Sequence, residues 1–146
     1  MRPDRAWIVA HIPHQGRMCL LDQVLSWDPQ RIECASATHR TLDHPLRAYD
    51  RLGAACALEY AAQAMAVHGA LLRPQEPQTG GFGMLASARA LELHVTRLDD
   101  VPDDLIIRAQ CEHADTRGAL YSFTVSAAQG LLARGRASLL LGPQPQ

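Results

Sequence analysis

The stretch "ALEYAAQAMAVHG", residues 57–69, reads as an apolar helix with one carboxylate inside it. Alanine, leucine and methionine dominate over about 52–72, and neither glycine nor proline occurs between Ala54 and His68. These residues have high helix propensity, so the pattern predicts one long helix. A helix that is apolar on nearly every side has no polar face to turn toward solvent. We therefore expect it to be covered on most sides.

The segments before and after this helix are typical of strands. Residues 18–27 and 31–39 flank an Asp-Pro turn and predict a hairpin. Four further strand-like segments, the first with a bend near 86–90, follow at about 82–98, 104–114, 119–128 and 131–141. A single antiparallel sheet of about six strands, curled around the helix, would cover the alanines. The alternative is an α+β sandwich that keeps its helix on one face.

Length and composition indicate one ordinary globular domain. The chain has 146 residues, 47% of them hydrophobic and 20% charged, and a net charge of −1. We expect a single domain over 1–142 and a disordered tail over 143–146. The near-zero charge argues against nucleic acid or an anionic membrane surface as a partner. No apolar run reaches the ~20 residues of a membrane span, and no signal peptide is recognisable, so the expected location is cytoplasmic.

Cysteine and histidine spacing gives no metal motif. The four cysteines have no CxxC spacing and resemble small buried hydrophobic residues of a reducing compartment; they are Cys19, Cys34, Cys56 and Cys111. His11 and His14 form an HxxH pair that no further ligand motif supports. The sequence therefore predicts no metal and no redox cofactor.

The acid within the helix can be interpreted in two ways. At 100° per residue, Glu59 and Gln63 lie about 40° apart on one face, while His68 points roughly opposite Glu59. The helix could have one wet edge that carries Glu59, with Gln63 as an ordinary polar neighbour. Alternatively, Glu59 is buried, and burial favours the protonated form of a carboxyl group. Such an acid would suit general acid catalysis near neutral pH.

Two segments resemble one enzyme family. "LEYAAQAMAVHGALL" (58–72) is similar to the central helix of the hotdog 3-hydroxyacyl carrier-protein dehydratases, and "IPHQGRMCLLDQV" (12–24) to their early "PH…LLD" segment. With "PLR" in the loop and "TRLDD" after a strand, the resemblance is closest to the dehydratase-like proteins of aryl-polyene-type biosynthesis clusters. It spans about 12–141. It implies an α+β hotdog fold, in which a curled antiparallel sheet wraps one central helix and sheets join in a dimer.

The resemblance implies catalytic residues as well. Glu59 occupies the position of the family's catalytic acid. The dehydratases carry their histidine in a "GHFPGHP"-like loop, where this chain has "LDHPLRAYDRLG" with His44 15 positions before Glu59 (59 − 44). The aromatic-proline-glycine framework is missing from that loop. His14, in the "PH…LLD" segment, is therefore a rival, and the sequence leaves both open.

The implied reaction is the loss of water from a 3-hydroxyacyl thioester carried on the phosphopantetheine arm of an acyl carrier protein. A neutral histidine would abstract the C2 proton, and protonated Glu59 would donate to the departing hydroxyl. N–H groups at the helix start would stabilise the enolate oxygen, and Gly53 would let the thioester approach. Gln63 is a further candidate for substrate binding, and Arg47 and Arg51 for contacting an acidic carrier protein.

The resemblance also bears on assembly and on other activities. In the family the histidine and the acid come from different protomers, which would make a dimer the catalytic unit. The expected assembly is a homodimer, a heterodimer with another hotdog protein, or a higher oligomer. Two other functions stay open: a hotdog acyl thioesterase, and a non-catalytic subunit that pairs with another dehydratase.

Overall fold

The computed structural model describes residues 2–12, 16–73 and 84–140, which form two helices and six strands. In chain order these are α1 (Arg5–His11), β1 (Gln23–Trp27), β2 (Arg31–Ser36), α2 (Ala57–Leu72), β3 (Met84–Leu93), β4 (Leu105–Ala114), β5 (Gly118–Ala127) and β6 (Gly130–Leu140). Single 3₁₀ turns lie at Gly16–Met18, Thr38–Arg40 and Ala54–Cys56. The last of these runs directly into α2.

The strands form one antiparallel sheet in the order β1-β2-β4-β5-β6-β3, and α2 packs on one face of it. Side chains alternate as a half-buried sheet requires. On β4, Ile107 and Ala109 are buried, whereas Arg108 and Gln110 between and beyond them are exposed. The sheet curls around α2 without closing. The predicted α+β hotdog arrangement is confirmed.

Helix α2 is covered on nearly all sides, as its composition predicts. Every residue from 60 to 71 is buried, including Tyr60, Met65 and His68 at 0% exposure. Only Leu58 and Glu59 near its start are half-buried, and Leu72 at its end is exposed. Among the residues that the structure describes, no helix is long and apolar enough to cross a membrane.

The structure differs from the sequence expectations at several element ends. Strand β1 starts at Gln23 instead of residue 18. The N–H and the C=O of Leu20 are hydrogen-bonded to the side chains of Gln63 and Ser36, so they are not available for pairing with another strand. The helix predicted over 52–72 begins at Ala57, after the 3₁₀ turn. Helix α1 was not predicted. The predicted tail over 143–146 lies outside the described residues.

Strand β3 forms one edge of the sheet. Within the described ranges it pairs with β6 on one side and with no strand on the other, and every residue from 86 to 93 is exposed. Ala90 has a φ of 52°, and the pairing register shifts between Arg89 and Glu92. This irregularity lies where the sequence predicts a bend. The edge leaves main-chain N–H and C=O groups available for another strand.

Candidate active site

Glu59 and Gln63 form the centre of the candidate site. Glu59 lies in the first turn of α2 and is half-buried, and Gln63 follows one turn later at 0% exposure. The Gln63 amide nitrogen donates to Glu59 Oε1 at 3.3 Å, as the helical spacing predicts. The same nitrogen donates to the carbonyl of Met18 at 2.8 Å, and Gln63 Oε1 accepts from the N–H of Leu20 at 2.8 Å.

These contacts use the whole side-chain amide of Gln63. Both amide hydrogens and the amide oxygen have partners, and two of the three bonds go to main chain that is 43 and 45 residues away in sequence. A buried amide is stable only when its donors and acceptors have partners. Gln63 therefore joins the Met18–Leu20 main chain to Glu59, and its predicted role in substrate binding stays a prediction.

A chain of hydroxyl groups holds the other side of the Leu20 peptide. The Leu20 carbonyl accepts from Ser36 Oγ at 2.5 Å and from Thr38 Oγ1 at 2.8 Å. Since the Thr38 proton is used there, Thr38 Oγ1 accepts from the Tyr60 hydroxyl at 2.7 Å. The Tyr60 oxygen lies in turn 3.0 Å from His44 Nε2.

His44, one of the two predicted bases, is the end of this chain. It is 5% exposed, and its Nδ1 accepts from the N–H of Leu46 at 3.0 Å. Nε2 therefore carries the ring hydrogen and donates it to Tyr60. Burial lowers the pKa of His44, and the positive charge of Arg47 lowers it further. Both ring nitrogens of His44 therefore have hydrogen-bond partners within the chain, and its predicted role as a base stays a prediction.

His14, the other predicted base, lies outside the described residues, and its role stays a prediction. The described main chain resumes two residues later. That main chain begins with the turn at Gly16–Met18. The Gln63 amide donates to the carbonyl of Met18, the last residue of the turn, and also to Glu59. The segment that follows His14 is therefore fixed beside the acid of the same chain.

The main chain that leads into α2 is open in front of Gly53. Gly53 has a φ of −65°, which any residue adopts, and a Cβ added there would meet nothing within 4 Å. Among the described residues no side chain caps the turn at Ala54–Cys56 that it begins. Neither backbone strain nor crowding inside the protomer requires this glycine. The predicted approach of a thioester at Gly53 stays a prediction.

The two predicted carrier-contacting arginines have different environments. Arg47 donates to the carbonyl of Asp50 at 2.7 Å and lies 3.8 Å from the carboxylate of Asp99. Asp99 also accepts from the N–H of Leu52 at 2.9 Å, so Arg47 helps to hold the loop before α2. Arg51 is exposed. Its predicted contact with a carrier protein stays a prediction.

A groove of about 730 Å³ lies on the face of the sheet that points away from α2. Arg108, Arg134 and Arg136 line it, and the first two form ion pairs with Glu33 and Glu92 on neighbouring strands. None of the predicted site residues lines this groove. Its walls are charged, so it does not suit an acyl chain.

The sequence did not reveal the residues that position this site. Ser36 and Thr38 bond the Leu20 carbonyl, and Tyr60 bonds Thr38. Leu20 lies in the "PH…LLD" segment, but that motif does not show which side chains bond its main chain. One signal was present: a tyrosine hydroxyl inside an apolar helix requires a hydrogen-bond partner. The identity of that partner depends on the fold and not on local spacing.

Solved structures with this fold include both dehydratases and thioesterases. A chain of the dehydratase heterocomplex ApeI:P from Xenorhabdus doucetiae matches with a TM-score of 0.80 at 21% identity, covering 94% of this chain and 91% of that chain. A variant of thioesterase PA1618 from Pseudomonas aeruginosa matches with 0.65 at 12% identity, covering 97% and 96%. Zebra fish thioesterase superfamily member 2 matches with 0.63 at 15% identity, covering 94% and 95%. At these identities the likeness shows the hotdog fold.

Comparison of the sequence with protein families identifies a family in addition to the fold. No curated protein matches this chain. A family model described as ApeP dehydratase matches residues 7–146, which is nearly the whole sequence. The matched region includes Glu59, Gln63, His44 and His14. The chain therefore belongs to the ApeP-like dehydratase family.

Proposed function

We propose that this protein dehydrates 3-hydroxyacyl thioesters, carried on an acyl carrier protein, to trans-2-enoyl thioesters. The observation that supports this most is the environment of Glu59. It is a half-buried carboxyl group at the start of an apolar helix, and the buried Gln63 amide fixes its orientation. A dehydratase needs one acid held in this way near the leaving hydroxyl.

The proposed reaction uses one base and one acid. The base takes the C2 proton, which the neighbouring thioester carbonyl acidifies, and the electron pair of that bond forms the C2–C3 double bond. The C3–O bond breaks as Glu59 gives its proton to the hydroxyl, which leaves as water. N–H groups at the start of α2 stabilise the charge on the carbonyl oxygen, since the helix dipole is positive there. Return of the C2 proton from base to acid resets the site.

We assign the base to His14. His44 has both ring nitrogens engaged in hydrogen bonds to Tyr60 and Leu46. The Gly16–Met18 turn, which follows His14 in sequence, is linked to Glu59 of the same chain through Gln63. This link favours an acid and a base from one protomer, in contrast to the arrangement that the resemblance implied.

The exposed edge strand supports an assembly of two hotdog chains. Among the residues that the structure describes, strand β3, which is ten residues long, pairs along one edge only. Pairing with the same strand of a second chain would satisfy its main-chain groups. A second chain would also cover Leu91 and Leu93, which are 38% and 43% exposed. Because a related structure is the heterocomplex ApeI:P, a second and different hotdog chain is included in the proposal.

The test is incubation of the pure protein with a defined 3-hydroxyacyl carrier protein, followed by mass spectrometry of the carrier. The proposal expects loss of one water mass from the acyl group. Glu59→Gln should abolish this loss and keep the melting temperature. Glu112→Gln, which removes a carboxylate on the outer face of the sheet, is the matched control and should keep full turnover. Unchanged turnover in Glu59→Gln would remove Glu59 from the mechanism.

The same experiment distinguishes two alternatives. The thioesterases among the fold relatives favour hydrolysis as the second candidate. A thioesterase would release free carrier thiol, which a thiol reagent detects, and leave the acyl hydroxyl intact. A non-catalytic subunit would be inactive alone, and the turnover restored by a second hotdog chain would be the same with Glu59→Gln as with the wild type.

A further inference from the structure

We propose that Arg5, on the N-terminal helix α1, is a positioning residue for the Glu59 site. The inference rests on the proposed function and extends it to a residue outside the matched family region, which begins at residue 7. Arg5 touches neither Glu59 nor Gln63 among the contacts described above. It acts on the main-chain segment that both of them contact.

The Arg5 guanidinium binds one short segment at several points. Nη2 donates to the carbonyl of Cys19 at 2.7 Å and to the carbonyl of Gly16 at 3.3 Å. Nη1 donates to the carbonyl of Leu21 at 3.1 Å and to Asp22 Oδ1 at 3.4 Å. The bonds at Gly16 and Cys19 bracket the turn at Gly16–Met18. A planar guanidinium can hold several acceptors at once, which a lysine ammonium on a flexible stem cannot do equally well.

Helix α1 places Arg5 for this contact. Asp4 caps the helix by accepting from the N–H of Trp7 at 3.0 Å, and Ile8 is buried in the core at 0% exposure. The main chain of Asp4 also forms an isolated antiparallel β-bridge with Gln23 on strand β1. The helix is therefore fixed at its start and along its inner face, and the Arg5 side chain projects from a rigid base.

The same segment is held from its other side by the site itself. Gln63 bonds the Met18 carbonyl and the Leu20 N–H, and Ser36 and Thr38 bond the Leu20 carbonyl. Gln63 uses one nitrogen for both the Met18 carbonyl and Glu59 Oε1. The position of Met18 therefore decides where the amide points and, through it, where the carboxyl group of Glu59 points.

The consequence is a clamp with Arg5 outside and Gln63 inside. If Arg5 is lost, the Gly16–Met18 turn keeps the bond from Gln63 to the Met18 carbonyl and the exposed bond from Arg17 to the carbonyl of Asp43. The carbonyls of Gly16 and Cys19 lose their Arg5 partner, and the Met18 carbonyl that the Gln63 amide bonds is then less firmly placed. A misplacement of about 1 Å at a reacting group can cost about 10²-fold in rate. We expect Arg5→Ala to lower kcat by about tenfold or more with KM changed less than about twofold.

The matched control is Arg40→Ala. Arg40 makes a similar set of bonds, to the carbonyl of Pro102 at 2.8 Å and to Asp104 Oδ1 at 2.9 Å, but to a different loop. A general loss of stability would lower the melting temperature in both variants alike. The clamp, unlike a general loss of stability, predicts that kcat falls in Arg5→Ala and stays unchanged in Arg40→Ala. Arg5→Lys, which keeps a cation and part of the bonding, should recover part of the lost rate.

A second readout does not depend on activity. By NMR, hydrogen exchange of the Leu20 N–H and of the Gln63 side-chain amide should be faster in Arg5→Ala than in the wild type or Arg40→Ala. Wild-type exchange at both groups in Arg5→Ala would overturn the clamp, whether or not the protein proves to be a dehydratase. Faster exchange with the same kcat as Arg40→Ala would overturn the positioning role. An inactive wild type would instead count against the proposed function, and the exchange data would still test the clamp.

Discussion

The imidazole of His44 donates from Nε2 to the hydroxyl of Tyr60, across 3.0 Å, inside the protein. The ring accepts from Leu46 at its other nitrogen, so it is fixed in one tautomer by two partners of its own chain. The histidine that precedes the candidate acid Glu59 by 15 positions thus makes both of its ring hydrogen bonds within its own chain. Its partner Tyr60 carries the same network on to Thr38 and Leu20.

Replacement of the two histidines should therefore have opposite effects. His44→Ala leaves the Tyr60 hydroxyl short of a partner and should lower the free energy of unfolding by about 1–3 kcal/mol. Its kcat, measured well below the melting temperature, should fall less than about tenfold. His14→Ala should keep the melting temperature and lose about 10²–10⁴-fold in kcat. Complete loss of turnover in a stable His44→Ala protein would make His44 the base instead.

Mixing two inactive variants tests which chains supply the acid and the base. His14→Ala and Glu59→Gln proteins are unfolded together, refolded as mixed dimers and assayed. If both groups come from one chain, no site in the mixture is intact and activity stays absent. If they come from different protomers, random mixing should restore about a quarter of the wild-type activity. Recovery of that size would refute the same-chain assignment.

Gly53→Ala should separate stability from activity. The added Cβ meets no atom within 4 Å and the φ of −65° suits alanine, so the free energy of unfolding should stay the same or rise by about 0.4–1 kcal/mol. If the thioester approaches the chain here, kcat/KM should fall at least about tenfold. Gly130→Ala is the control: its φ of 121° makes alanine destabilising, and activity should be kept. Wild-type kcat/KM in Gly53→Ala would exclude a close approach at this point.

Three buried histidines predict how stability depends on pH. Burial lowers the pKa of His39, His44 and His68 below their ordinary value of 6.5. Above about pH 6.5 neither the folded nor the unfolded state binds these protons, and stability is complete. Below it the unfolded chain takes up protons that the folded chain does not, so stability decreases as the pH falls.

Urea unfolding between pH 8 and pH 5 measures this effect. Each histidine should contribute a slope of up to about 1.4 kcal/mol per pH unit below pH 6.5. His68 bonds Tyr121 at 2.6 Å and the carbonyl of Asp28 at 2.8 Å, and His68→Gln should reduce the slope by about one histidine's share. A free energy of unfolding that stays constant from pH 7 to pH 5 would contradict the assignment of neutral buried rings.

The burial of the central helix was predictable because nearly all of its residues are apolar. An apolar helix of this length has no polar face for solvent, so its cover by a sheet was predictable, and alternation predicted the strands. The order of the strands in the sheet, which places β3 beside β6, was not predicted. Helix α1 was missed because its seven residues are too few for a period to appear. It is stabilised by the Asp4 cap and the burial of Ile8 instead.

The contact between Glu59 and Gln63 was also predictable from local sequence, whereas the other residues around Glu59 were not. Glu59 and Gln63 are four residues apart on a helix, so their contact follows from geometry. The partners of Gln63 lie 43 and 45 residues away, and the contact of His44 with Tyr60 spans 16 residues with a turn between them. Sequence spacing can predict that a histidine lies near an acid, but it cannot predict which groups form hydrogen bonds with the two ring nitrogens.

The alanines of α2 also restrict how this protein can evolve. Ala57, Ala61, Ala64 and Ala66 are at most 1% exposed, and a methyl group is all that separates the helix from the residues around it. A larger residue at any of them would overfill the interior and push the sheet outward, at a cost of about 1–3 kcal/mol. Natural variation should therefore gather at the loops and the outer face, while the helix drifts little. A change of substrate specificity would have to come from outside this helix.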